Sequence, residues 1–222
     1  MLQGVQTATP AALYRRLSHA FGPQGWWPAR SPFEMMVGAI LAQATSWRNV
    51  ERAIQRLKQV EGLRPQALLA MSRVRLERVI RPTGYFRQKA KRLRVFARWY
   101  VTRYGGVSRR MFRTPWPELR RELLVLHGIG PETADAMLLY AGAQPVCVVD
   151  AYTARVFRRH QLIRSDATYN EIQRVAMRSL PPSVTIYKEF HALFVAVGKR
   201  YCHRQHPDCQ RCPLGAFPHT SR

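Results

Sequence analysis

The sequence predicts an all-α protein, and three observations lead to this fold class. Apolar residues recur at the three- and four-residue spacing of one helix face in most segments of the chain. Capping signals stand in front of several of these segments. Strand patterns are scarce, because the run 146–149 is short and follows Pro145. We expect an extended crossing in that run and no sheet.

The elements follow from capping and periodicity. Residues 31–34, Ser-Pro-Phe-Glu, have the pattern of a capping box with proline in the first turn, and predict a helix over 33–41. Ser46 is expected to cap the next helix. A second capping box is predicted at 168–171. The remaining helices are predicted at 65–70, 73–81, 87–104, 117–127, 131–142, 151–160, 168–180 and 185–201.

Composition indicates a folded protein with an anionic partner. The 222 residues carry a formal net charge of +23, and 46% of them are hydrophobic. This excess of Lys and Arg favours a polyanion, and the hydrophobic content excludes a disordered basic tail. No apolar run reaches the roughly 18 residues of a membrane span, and the N-terminal residues lack a signal-peptide pattern. We therefore expect a cytoplasmic protein whose cysteines serve as ligands or core residues.

The most informative motif is Leu-His-Gly-Ile-Gly-Pro at 126–131. Gly128 and Gly130 flank Ile129, and glycine permits both positive φ and close approach of the backbone. Pro131 suits the first turn of a new helix, whose free N–H groups bind anions such as a DNA phosphate. The alternative is an ordinary corner between two helices with a glycine C-cap.

The apolar run after this hairpin ends on Asp150. A carboxylate placed beside a sugar assists cleavage of a glycosidic bond. The alternative is that Asp150 caps the helix predicted at 151–160, and the two roles are compatible.

The hairpin and Asp150 together resemble the helix-hairpin-helix DNA glycosylases of the endonuclease III superfamily. The resemblance extends over residues 26–212. It implies that Gly128, Ile129 and Gly130 bind the DNA backbone and that Asp150 is essential for base excision.

The resemblance also implies the domain organisation. Residues 24–144 would form a six-helix bundle that contains the hairpin. Residues 1–23 and 145–222 would form a second helical lobe with a cysteine-rich loop.

The residue two positions after Gly130 bears on the type of reaction. Bifunctional members of this family carry a lysine there, whose amine forms a Schiff base at C1′. This chain has Glu132, and a carboxylate cannot form a Schiff base. The resemblance therefore implies a monofunctional glycosylase with weak or absent lyase activity, in which Asp150 assists the attack of water. Glu132 either takes part in the active site or only favours the start of its helix.

Three cysteines in the basic C-terminal segment, Cys202, Cys209 and Cys212, suggest metal ligation. Many family members bind a [4Fe–4S] cluster through four cysteines here, whereas the fourth position of this chain is Pro218. The resemblance implies a [4Fe–4S] cluster whose fourth ligand is not a cysteine, with a zinc site or an empty loop as alternatives. The candidates for this ligand are His203, His206, Asp208 and His219.

Two adjacent tryptophans, Trp26 and Trp27 in Gly-Trp-Trp-Pro at 25–28, are candidates for a base pocket. Indole rings stack on an extruded base, and a cationic alkylated purine gains a further cation–π attraction. With Gln43 and Glu132, this motif resembles the 3-methyladenine glycosylase III branch of the family. The alternative for both tryptophans is packing between the lobes.

The resemblance assigns two more residues to DNA binding. Gln43 would enter the space left by a flipped nucleotide, and Tyr85 would act as a wedge in the base stack. Gln43 could instead cap a neighbouring helix, and Tyr85 could simply pack.

These observations predict a DNA glycosylase of base excision repair that acts on damaged bases, with alkylated purines as the expected substrates. Its partner would be double-stranded DNA containing such bases, and we expect a nucleoid-associated monomer. One alternative is an endonuclease III-like enzyme for oxidised or mismatched pyrimidines. The other is a catalytically silent module that binds damaged DNA.

Overall fold

A computed structural model of the chain describes residues 7–27, 29–60 and 62–220. Helices dominate these ranges, and no strand occurs within them, so the prediction of an all-α protein is confirmed. Residues 146–149 lie outside any helix or strand. Within the described ranges, no helix has both the length and the apolar character required to cross a membrane.

The chain divides into two compact units. The central unit spans Trp27–Gln144, and the terminal unit comprises the described residues of Met1–Trp26 and Pro145–Arg222. The helices of the central unit are α2 (Pro32–Leu41), α3 (Trp47–Val60), α4 (Pro65–Ala70), α5 (Arg73–Ile80), α6 (Phe86–Tyr104), α7 (Ser108–Met111), α8 (Trp116–Val125) and α9 (Pro131–Ala136). Those of the terminal unit are α1 (Pro10–Phe21), α10 (Ala151–Arg159), α11 (Tyr169–Ser179) and α12 (Val184–Arg200).

The predicted helices are all present, and their ends lie within two residues of the predicted ones. The helix predicted over 131–142 begins as α9 and continues as a π-helix over Met137–Ala141. The capping box at the start of α11 is complete, because Thr168 and Glu171 each bond the other's backbone N–H.

The capping box predicted for α2 is only half formed. Ser31 accepts a hydrogen bond from the Glu34 backbone N–H, as the pattern requires. The Glu34 carboxylate, however, pairs with Lys58 at 2.7 Å. The Glu34 carboxylate therefore binds a side chain of α3 in place of the Ser31 backbone N–H that a complete capping box would use.

The core of the central unit is built around α2, which is buried along nearly its whole length. Phe33 stacks on Phe96 and Tyr100 of α6, with ring centroids 6.5 and 5.7 Å apart. This packing fixes α6, whose first turns and outer face carry several of the residues considered below.

The terminal unit packs α1 and α10 against α12. Its core contains the rings of Phe157, Phe190 and Phe194. Sequence reasoning missed α1, although Thr9 caps it and Pro10 occupies its first turn. It also missed the short helix α7 and a 3-10 turn at Arg81–Thr83, which are too short to show periodicity.

Candidate functional site

The hairpin between α8 and α9 exposes its second glycine and buries its middle residue. Gly128 has a φ of +83°, a left-handed conformation that favours glycine. Ile129 is only 4% exposed and anchors the turn. Gly130 is extended, and no heavy atom lies within 4 Å of the position that a Cβ would take there. The hairpin therefore presents open backbone at Gly130, directly before the N-terminus of α9.

A buried ion pair fixes the two helices on either side of the hairpin. Arg120 of α8 donates two hydrogen bonds to Asp135 of α9, at 2.7 and 3.1 Å. The Asp135 side chain is fully buried. Because a bidentate pair holds both distance and angle, it sets the geometry of the turn. The motif gave no indication of this pair.

Gln43 lies against the hairpin. Its Nε2 donates to the Gly128 carbonyl at 2.9 Å and to the Thr133 hydroxyl at 3.0 Å, and its Oε1 accepts from Arg92. Arg92 lies directly beneath Gly128, where an added Cβ would overlap the arginine side chain. Gln43 is thus placed beside the hairpin, and the insertion into DNA that the resemblance implies would require it to exchange these hydrogen bonds.

Tyr85 is exposed at the start of α6, as a wedge residue would be. It is 67% exposed and left-handed, with a φ of +43°. The preceding Gly84 also has a positive φ, at +65°. These two residues form a sharp turn that directs the chain into α6.

A buried lysine connects the segments that carry Gln43 and Tyr85. The Lys89 ammonium donates to the Leu41 carbonyl at 2.9 Å and to the Thr83 carbonyl at 2.7 Å. Burial and the nearby charge of Arg92 lower the pKa of Lys89 to about 8. Sequence reasoning missed Lys89, because nothing local distinguishes a buried lysine from a solvated one.

Asp150 is the N-cap of α10, as the alternative interpretation predicted. Its Oδ1 accepts hydrogen bonds from the Thr153 backbone at 2.7 Å and from the Thr153 hydroxyl at 2.9 Å. The residue is 9% exposed and follows the buried run 146–149. Since Oδ1 makes both capping bonds, Oδ2 is the oxygen left for other chemistry.

His191 of α12 faces this second oxygen. Its Nε2 lies 3.8 Å from Asp150 Oδ2. Burial lowers the pKa of His191, and the negative charge of Asp150 opposes part of that shift. The imidazole also contacts Trp26, with ring centroids 5.2 Å apart. Asp150, His191 and Trp26 therefore form one cluster in the terminal unit, of which the sequence predicted two members.

Trp27 belongs to a different cluster, in the central unit. Its ring meets that of Trp47 edge-on, with centroids 4.9 Å apart, and lies 5.1 Å from that of Tyr140. Trp27 and Trp47 line a cavity of about 390 Å³ together with Glu34 and Glu51. The two tryptophans thus contact different aromatic partners, each within its own unit. Pro28 of the same motif lies outside the described residues.

Glu132 is exposed in the first turn of α9. It follows Pro131 and lies two positions after the open backbone of Gly130. This position is compatible with either role expected for it, the active site or the start of the helix.

The three tail cysteines line one small cavity with His160, Asp208 and His219. Burial raises the pKa of the Cys212 thiol to about 11, and Cys202 and Cys209 add to this shift. The Cys202 sulfur accepts a hydrogen bond from Arg159 at 3.0 Å. Thiol chemistry and proximity suit a soft metal. However, no three Cys, His, Asp or Glu side chains of the described chain converge on one metal position. Of the expected candidates for a fourth ligand, Asp208 and His219 line the cavity.

Comparison with known proteins defines the class. Residues 37–182 match the HhH-GPD superfamily of base excision DNA repair proteins. The chain belongs to this family and has the fold of endonuclease III, so it is a DNA repair glycosylase.

Individual relatives support this assignment. The chain is 43% identical to a protein of Methanocaldococcus jannaschii that is named as a candidate DNA repair glycosylase, over 92% of this chain and 93% of the relative. Endonuclease III in a trapped covalent complex with DNA superposes with a TM-score of 0.80 at 25% identity, covering 93% of this chain and 94% of the other. The 3-methyladenine DNA glycosylase of H. pylori, bound to 1,N6-ethenoadenine, gives a TM-score of 0.76 at 25% identity, covering 87% and 98%.

Proposed function

We propose that this protein is a monofunctional DNA glycosylase that removes alkylated purines. The observation that carries the proposal is the environment of Asp150, a buried carboxylate with one oxygen fixed by Thr153 and the other directed toward His191. Such a group holds a fixed position, as is needed beside a sugar that becomes cationic in the transition state.

The reaction is hydrolysis at C1′. The bond between C1′ and the base breaks, and its electron pair leaves with the base. A water oxygen forms a new bond to C1′, and Asp150 accepts the proton that the water loses. A base already alkylated on a ring nitrogen leaves as a neutral molecule. It therefore needs no acid to protonate it, and the chain requires only the carboxylate.

The residue at position 132 supports a monofunctional reaction. Glu132 follows the hairpin where an attacking lysine would stand, and its carboxylate cannot form a Schiff base with the sugar. Endonuclease III forms a covalent complex with DNA. We expect no such complex through position 132 of this chain.

The aromatic cavity of the central unit supports the choice of substrate. Its volume of about 390 Å³ lies within the range of about 300–1,000 Å³ typical of ligand pockets. Trp47 is held by a hydrogen bond from its Nε1 to Glu51 at 2.8 Å. Two indoles suit a flat cationic base through stacking and cation–π attraction, while the charges of Glu34 and Glu51 are balanced by those of Arg30 and Lys58 in the same lining. The similar H. pylori enzyme is named for 3-methyladenine and binds an ethenoadenine.

DNA binding would begin at the hairpin. The backbone at Gly130 is open and directly precedes the N-terminus of α9, the end of a helix that favours a phosphate. We also propose that Cys202, Cys209 and Cys212 hold a metal, with a [4Fe–4S] cluster as the leading candidate. Such a group would stabilise the tail, since the energy of metal binding contributes to folding.

Mass spectrometry of the free bases released from a panel of damaged duplexes tests the substrate. We expect 3-methyladenine and 7-methylguanine to be released, and Trp27→Ala to slow their release about ten- to a hundredfold, because base stacking is worth roughly 1–3 kcal/mol. Trp116→Ala is the matched control, since Trp116 belongs to the same unit but does not line this cavity.

Three outcomes would contradict the proposal. Release of oxidised or mismatched pyrimidines without alkylpurines would assign the endonuclease III-like activity instead. Binding to damaged DNA without release of any base would indicate a silent module. Equal losses in Trp27→Ala and Trp116→Ala would remove the cavity from base recognition.

A further inference from the structure

The outer face of α6 forms a basic groove in the central unit. The groove has a volume of about 1070 Å³, and none of the described residues that line it is acidic. Trp99 and Val95 contribute apolar surface. Its cationic side chains are Arg73, Arg87, Lys91, Arg94, Arg98 and Arg103. We call this feature the α6 groove.

Half of these cations are already engaged. Arg73 pairs with Glu77 at 2.7 Å, and Arg103 pairs with Glu122 at 3.3 Å. Arg94 donates to the carbonyls of Leu69 and Met71, at 3.3 and 2.7 Å, and so ties α6 to the end of α4. These three side chains support the walls of the groove.

The other three cations form an exposed stripe. Arg87, Lys91 and Arg98 are spaced by four and seven residues, so they lie on one face of α6. All three are exposed, and none forms an ion pair with any residue that the structure describes. Three like charges held side by side repel one another, and an anionic ligand would relieve this repulsion.

The groove continues to the hairpin. Leu126, which follows the last residue of α8 and precedes Gly128 by two positions, lines the groove. Arg92, between the stripe residues on α6, lies beneath Gly128. Tyr85 precedes the same helix. A DNA strand held at the hairpin would therefore meet the α6 groove without leaving this unit.

The spacing of the stripe suits a nucleic-acid backbone. From Arg87 to Arg98 the helix rises about 16 Å at 1.5 Å per residue. A strand of B-DNA places one phosphate per about 3.4 Å of its axis. The stripe therefore spans about five phosphates.

We infer that the α6 groove is a second phosphate-binding surface, which holds the DNA backbone that flanks the site bound by the hairpin. This inference rests on the proposed function for the location of the DNA. It assigns Arg87, Lys91 and Arg98 as direct phosphate ligands, and it requires no contact with bases.

The test compares two triple variants on an undamaged duplex. Arg87→Gln, Lys91→Gln and Arg98→Gln remove the stripe. The matched control is an exposed arginine stripe of the same unit, on α3, that does not line the groove. It removes the same charge through Arg48→Gln, Arg52→Gln and Arg56→Gln.

Affinity is measured at several salt concentrations, on duplexes of 12 and 30 base pairs. Each phosphate contact contributes about 0.9 to the slope of log affinity against log salt. We expect the groove variant to lower that slope by about 2.7 and the control to leave it unchanged. The change in slope should be the same on both lengths, because even 12 base pairs exceed the roughly five phosphates that the stripe spans.

Two outcomes would overturn the inference. An unchanged slope in the groove variant would leave the stripe free for another partner, such as an acidic protein. Equal changes in both variants would show that only net charge matters. Failure of the proposed function is seen separately, as absence of base release by the wild type. A thermal melt of each variant confirms that it is folded.

Discussion

Gly128 and Gly130 stand two residues apart in one motif, yet the structure assigns them different tasks. Gly128 is left-handed and lies against Arg92, whereas Gly130 is extended and faces open space. Replacing each with alanine should separate folding stability from DNA binding.

The cost of Gly128→Ala has two parts. A left-handed conformation costs an L-residue roughly 1–2 kcal/mol. The new Cβ would lie 2.5 Å from both Cγ and Cδ of Arg92, so the arginine must move and release Gln43. A hydrogen bond lost in this way costs about 0.5–1.5 kcal/mol. We expect a loss of about 1.5–3.5 kcal/mol in the free energy of unfolding, the sum of these two ranges.

Gly130→Ala should leave stability unchanged or raise it slightly, by up to about 1 kcal/mol, because alanine restricts the unfolded chain. Its methyl group projects where a phosphate would approach, so DNA affinity should fall for every sequence. Urea denaturation measures the first effect, and binding to an undamaged duplex measures the second.

The reasoning would be refuted by wild-type stability in Gly128→Ala, since neither the backbone nor Arg92 would then constrain that position. Wild-type affinity in a folded Gly130→Ala would place the DNA elsewhere.

The carboxylates, the cysteines and the buried histidine each give a further prediction. Asp150→Asn should keep the cap of α10 and the stability of the protein, because Asn caps a helix about as well as Asp. The same variant should abolish base release and leave DNA affinity unchanged or raised. Excision at the wild-type rate would contradict a catalytic role for Asp150. Borohydride should trap no covalent complex with the wild type, whereas Glu132→Lys should gain one, and trapping in the wild type would exclude a monofunctional reaction. Anaerobically purified protein should contain iron and lose it in Cys209→Ala, while stoichiometric zinc without iron would replace the cluster with a zinc site. Burial lowers the pKa of His191, so at mildly acidic pH the unfolded chain binds a proton there that the native chain does not. The free energy of unfolding should therefore fall as the pH drops below about 6.5. His191→Asn should flatten this dependence, and an unchanged pH profile in that variant would exclude His191 as its source.

The helices, the family motif and the chemistry that the motif permits could all be predicted from the sequence alone. Helices depend on the spacing of apolar residues and on caps, both of which are local. The pattern at 168–171 predicted its capping box because both partners lie within one turn. The hairpin and Asp150 were identified for a similar reason, since their residue types and order carry the signal.

How these residues are held could be learned only from the packed chain. Gln43 bonds Gly128, which is 85 positions away, and Lys89 bonds the Leu41 carbonyl across 48 positions. His191 meets Asp150 although they lie on different helices. Such contacts depend on how helices pack, and no local pattern records which distant side chain will be buried beside another. For the same reason the sequence did not indicate the ring partners of the two adjacent tryptophans, which are His191 for Trp26 and Trp47 for Trp27.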